Sequence, residues 1–180
     1  MTEEVKMENK TMRKFKWFWA WQDEAEEKWL REMSNQGWHL KKIGFPTIYT
    51  LESGEAQDYV YRLDYRSYWK MEKENYLQLF RDSGWEYVEE MAGWHYFRQA
   101  ARSGEEQEIY TDAESKIGKY QRLLTFLGII MLPLMFAIIN LNKAPYSWVP
   151  VIQVFNALMF VLYVYAIIRL LLRIRELKRI

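Results

Sequence analysis

The chain of 180 residues contains no cysteine and only two histidines. The first absence excludes a disulfide scaffold, a thiol nucleophile and every thiolate metal site. The second leaves any metal centre dependent on carboxylates, and no His-x-x-x-His spacing exists to start one. We therefore expect no metal and no cofactor. A cation surplus is also missing where a nucleic-acid binder would need it. Residues 1–115 carry 16 Lys and Arg against 23 Asp and Glu, a net −7, while the remaining 65 hold 9 against 1, a net +8. Phosphate binding needs a local excess of cations, so nucleic acid is excluded as a partner. The whole-chain charge of +1 describes neither part. The opening MTEEVKMENKTMRK has no apolar run, and no cleavable signal is expected from it. P-loop, Rossmann glycine, Gly-x-Ser-x-Gly and zinc-protease patterns are likewise absent, so no catalytic residue is assigned and enzymatic activity is not expected.

What the carboxy-terminal part does have is apolar length. Leu123–Asn142 and Ala144–Ile168 are 20 and 25 residues without a formal charge, parted by Lys143 alone. At 1.5 Å per residue each can cross a roughly 30 Å hydrocarbon layer. A two-span hairpin at the cell membrane over residues 118–172 is the reading, with a lipid bilayer as partner. Lys116, Lys119 and Arg122 precede the first span and Arg169, Arg173, Arg175, Lys178 and Arg179 follow the second. This bias predicts both termini in the cytoplasm. The latter five cations, running into a basic tail at 173–180, suit anionic lipid headgroups. Tyr146 and Trp148 in the short connection fit the headgroup level on the far side. Gln153 and Asn156, three residues apart in the second span, are assigned to helix pairing, with Thr125, Asn140 or another protomer across from them.

Upstream, behind a tail at 1–12, residues 13–99 read as a duplicated unit. FKWFWAW (15–21) and YVYRLDY (59–65) each present large apolar residues at alternate positions, predicting a strand in each copy. A helix follows, with Asp23 and Glu26 as a capping box and Ala25, Trp29, Leu30 and Met33 at helical spacing; Tyr76, Leu77 and Phe80 are the second copy's stripe. Both helices close on Gly-Trp, Gly37-Trp38 and Gly84-Trp85. HLKKIG, PTIYTLE, EYVEEM and WHYFRQ then return to strand patterns. Two β-α-β-β units predict an α+β domain, ferredoxin-like in form, with one sheet and both helices on a single face. A polar stretch at 100–117 links it to the hairpin.

Three groups in this domain bear on function. His39 and His95, each after a tryptophan, are candidates for a shared binding or acid-base site, although a strand residue beside a buried Trp is expected on the solvated face. Strand 15–21 is apolar on both sides, which points to an exposed patch of Trp17, Phe18 and Trp19 binding a ligand, another chain or the membrane surface. The acidic turn Asp23, Glu24, Glu26 and Glu27 is assigned to the helix dipole.

KFKWFWAWQDEAEEKWLREMSNQGWHL, YVYRLDYR, YLQLFRDSGWEYV and GWHYFR together resemble the bacterial family known as domain of unknown function 2812, over residues 13–99. The resemblance implies a carboxy-terminal membrane hairpin and a functional link to PadR-type transcription regulators. It brings no catalytic residue. The expected function is a membrane-anchored sensory, regulatory or protein-interaction module that works through a protein partner or as a homo-oligomer. The alternatives are an accessory subunit of a transporter-like complex and a membrane-tethered enzyme using His39 and His95.

Overall fold

A computed structural model describes residues 10–66, 73–104, 107–110, 113–141 and 149–179. The connection at 142–148, with Lys143, Tyr146 and Trp148, lies outside the described residues, as does most of the amino-terminal tail. The chain divides into two compact units, Met1–Ile109 and Tyr110–Ile180.

In the first unit the elements run β1 (Thr11–Phe15), α1 (Asp23–Asn35), β2 (Trp38–Gly44), β3 (Ile48–Ser53), β4 (Tyr59–Tyr65), α2 (Lys73–Asp82), β5 (Glu86–Met91) and β6 (Trp94–Ala100). They form two three-stranded antiparallel sheets, ordered β1-β3-β2 and β4-β6-β5. The unit is α+β, but the single sheet expected from the sequence is two, with β2 of the first lying near β5 of the second. In each sheet the last strand inserts between the first two, which therefore run parallel and need a helical crossover.

The predicted strand at 15–21 is corrected. β1 occupies Thr11–Phe15, and only Phe15 of FKWFWAW belongs to it. Trp17, Trp19 and Trp21 leave the sheet and stack instead, Trp17 edge-on to Trp19 at 5.6 Å and Trp19 parallel to Trp21 at 5.3 Å. The capping box is not formed either. Gln22 is the residue at the cap, and its side chain accepts from the Trp19 amide at 3.0 Å.

Gly37 and Gly84 end α1 and α2 at φ of 78° and 81°, a left-handed conformation only glycine adopts cheaply. At the second of these the Trp85 amide returns to the Phe80 carbonyl at 2.9 Å, and the indole is buried.

The two helices do not share a face. Trp29, Leu30 and Met33 of α1 pack with Leu40, Tyr49 and Leu51 of the first sheet and with Tyr61, Leu63 and Tyr96 of the second. Tyr76, Leu77 and Phe80 of α2 pack with Val60, Trp85 and Phe97. Val60 and Tyr61 are successive strand residues and point to opposite faces, as do Tyr96 and Phe97, so α1 and α2 cover opposite sides of the second sheet. YVYRLDY and WHYFRQA lack a consistently polar side, and a strand apolar on both sides must be covered on both. Among the described residues the first sheet is covered on one side only. Thr11, Arg13 and Phe15 alternate outward, while Met12 and Leu51 point to the core. Within the stretch read as linker, Gln107 donates to Gln99 and to the Ala100 carbonyl, and Ile109 packs on the α2 cluster.

The second unit is two helices of 29 residues each, α3 (Ala113–Leu141) and α4 (Val149–Leu177), packed on one another. Both are long and apolar enough to cross a membrane, and only 12% and 11% of their apolar windows is buried within the chain, unlike core helices of a soluble protein. Pro133 lies inside α3. The buried face of α4 recurs every seventh residue, Val149, Asn156, Tyr163, Leu170 and Leu177, the spacing of a helix pair with a continuous seam. Asn156 thus stands on that seam and Gln153 is half-buried beside it. Thr125 and Asn140 donate to their own helix, to Gln121 and Phe136 carbonyls at 3.0 and 2.8 Å. Arg169 and Arg175 are exposed on α4, and Arg173 pairs with Glu176 at 3.3 Å. Lys178 and Arg179 follow, exposed.

Candidate functional site

Ending α1 at Gly37 turns the chain directly into β2 and sets His39 opposite Glu52 of β3. Its imidazole is held on both sides. Nδ1 is 3.0 Å from the Ser34 hydroxyl, and Nε2 is 2.8 Å from the Glu55 carbonyl, to which it donates because a carbonyl only accepts. The ring meets Tyr59 edge-on at 5.4 Å. Gly54 permits this placement, since a Cβ there would come within 2.8 Å of the imidazole Cδ2.

Beside this ring, between β2 and β3 of one sheet and β5 and β6 of the other, lies a pocket of about 450 Å3. Its lining holds two opposed pairs and a third carboxylate, Glu55. Lys41 meets Glu52 at 3.0 Å, and Arg98 grips both oxygens of Glu86 at 2.7 Å while its guanidinium lies 4.8 Å over the Tyr59 ring. The Glu86 carboxylate raises the Arg98 pKa against a burial effect that is larger taken alone. The pocket therefore offers both signs of charge and an aromatic wall. Among the described residues no group of three or more His, Asp or Glu could hold a metal ion.

His95 goes elsewhere. The expected solvated position is corrected: it is 1% exposed, on the side of the second sheet that α2 covers. Its ring lies 5.1 Å from Tyr76 and 6.2 Å from Tyr87, and Nδ1 is 3.8 Å from Glu90. Burial lowers its pKa to about 4; Asp64 opposes that shift, and Lys73 and Arg66 add to it. The contacts described for His39 and for His95 share no residue, and the two rings stand on different sheets.

A lowered pKa means that His95 stabilises the fold when neutral. That contribution is complete above its ordinary value of 6.5 and is lost as pH falls from there through about 4. The loss is about 3 kcal/mol from a shift of this size. His95→Gln, which does not titrate, is expected to flatten the dependence of urea unfolding on pH between those limits; an unchanged slope would contradict the assignment.

The residues that sequence reading missed are the acids of α1. Glu26 is not spent on the helix dipole: it is buried and accepts from Tyr49 Oη at 2.6 Å and Tyr96 Oη at 2.7 Å, joining both sheets. Burial raises its pKa more than the two phenols lower it, and the phenols themselves are pushed up by burial and by the carboxylate. Glu27 accepts from the Leu63 amide at 2.8 Å and from Arg62 at 3.3 Å. A signal existed, because Glu26, Trp29, Leu30 and Met33 are spaced i, i+3, i+4 and i+7 and share one helical face.

The predicted patch is also rearranged. Phe18 is the inward residue, 5.9 Å from Trp29 and 6.4 Å from Tyr49. Trp17 and Trp19 point out.

The molecule is thus a small α+β domain with a polar pocket, continued by two long apolar helices. The family model for proteins of unknown function DUF2812 matches residues 22–132, well over half of the chain, and the chain belongs to that family. The match extends past the domain into α3. No curated protein and no solved structure matches the chain.

Proposed function

We propose that this is a membrane-anchored sensory protein whose cytoplasmic α+β domain binds a small zwitterionic ligand in the His39 pocket and passes the binding state to a protein partner. The observation that carries it is the pocket, where Arg98 and Lys41 stand against Glu86 and Glu52 around the Tyr59 ring. A ligand carrying both charges can exchange into such pairs without stranding either partner, which matters because a lone charge left in a pocket is costly. The length and apolarity of α3 and α4 support the anchor, with both termini inside on the cation bias. The repeated β-α-β-β order supports descent from a duplicated, ferredoxin-like unit. A PadR-type regulator is the partner that the family resemblance suggests.

An accessory-subunit role has less support, since Asn156 lies on the seam of α4 rather than on its open faces. An enzyme using both histidines would need them in one site.

The chain has only two histidines, so 15N-histidine labelling gives a direct test. Titrating the full chain in nanodiscs with the free α-amino acids is expected to shift the His39 imidazole for at least one of them and to leave His95 in place. Two unmoved rings across the set would contradict a zwitterion site.

A further inference from the structure

Among the described residues one side of the first sheet is left open, its rows polar except at one end. Along the chain Thr11, Arg13, Phe15, Trp17 and Trp19 are the exposed alternates. Phe15 is 68% exposed and Trp17 51%. Phe45, in the turn between β2 and β3, is 93% exposed. That turn lies where β1 ends, because Phe15 pairs with Ile48 and the Lys16 amide donates to the Thr47 carbonyl at 3.3 Å. Four exposed aromatic rings therefore lie at or just beyond one end of the first sheet, Phe15 in β1, Trp17 and Trp19 past its end and Phe45 in the turn. Arg13 and Lys42 both pair with Thr50 and are exposed, which sets a cationic row next to the rings.

We propose that this end of the first sheet docks on the bilayer surface, with the rings of Phe15, Trp17, Trp19 and Phe45 in the headgroup layer and Arg13 and Lys42 on anionic lipid phosphates. The inference rests on the membrane-anchored reading above. Large exposed apolar patches mark surfaces that are covered in use. Amphipathic indoles and phenyl rings with flanking cations match an anionic membrane interface, which offers apolar depth and negative charge together. Covalent connection to α3 and α4 supplies the occupant: a domain tied to a bilayer meets that surface at high effective concentration, so even a small patch engages it.

The cysteine-free chain accepts single cysteines for nitroxide labels. Labels are placed at Trp17 and Phe45 on the proposed face, at exposed Leu79 of α2 and at Phe155 of α4, in full-length protein in nanodiscs of equal phosphatidylcholine and phosphatidylglycerol. The ratio of collisions with oxygen to collisions with a water-soluble nickel chelate is then read at each site. Expected is a ratio at 17 and 45 several-fold above that at 79, falling toward it in phosphatidylcholine alone. If 155 reads as hydrocarbon while 17 and 45 match 79, docking is wrong and the anchor stands. A water-like ratio at 155 would remove the anchor and docking with it. Spin-spin broadening at 17 would replace the bilayer with a second copy.

Discussion

Glu26→Ala is expected to lower the stability of the amino-terminal unit by about 3 kcal/mol, because it strands two buried phenol hydroxyls at about 1–3 kcal/mol each, partly relieved by the lost cost of burying a carboxylate. Tyr49 and Tyr96 have no water to turn to: both are 1% exposed. They come from different sheets, so the carboxylate is the polar tie between β3, β6 and α1. Glu26→Gln keeps one acceptor oxygen and should cost about 1 kcal/mol. Both variants also separate from the wild type by pH. A carboxyl with a raised pKa favours the fold most below its ordinary value of 4.5, and that contribution fades as pH rises through the raised value. Neither variant titrates here, so both deficits should shrink with rising pH, by the same amount. Urea unfolding of the full chain in mild detergent, followed by near-ultraviolet circular dichroism, measures both; equal losses for the two variants would contradict the tie.

Leu158→Arg is expected to cost membrane insertion of α4 about 3 kcal/mol, the penalty for an arginine at the middle of a span. Leu158 is exposed and lies midway along the uncharged stretch of α4, away from the seven-residue seam, so the change leaves packing against α3 in place. Alkaline carbonate extraction should release the variant and leave Leu158→Phe in the membrane pellet. Full retention of the arginine variant would mean that this face of α4 meets protein or water instead of lipid.

Most element boundaries were legible because their signals are local. Gly37-Trp38 and Gly84-Trp85 marked the helix ends, and the stripes at Trp29 to Met33 and Tyr76 to Phe80 marked the buried faces. Strand 15–21 misled because alternating large rings are what a strand shows, yet indoles can stack on one another without a strand partner. The count of sheets and the helix faces depend on contacts distant in sequence: Val60 and Tyr61 differ in nothing local that says which helix each meets. The same limit hid the site. Lys41 and Arg98 belong to different sheets, and only the approach of β2 to β5 makes one pocket of them. Glu26 was legible in phase but was read for its charge.

A proposed sensing domain on the cytoplasmic side of a two-span anchor puts Leu79 and Pro145 on opposite sides of the membrane. Single cysteines at Leu79 and at Pro145, probed in intact cells with a membrane-impermeant maleimide, test it most directly. Rapid modification is expected at 145, and modification at 79 only after the membrane is permeabilised. Labelling at 79 with protection at 145 in intact cells would contradict it.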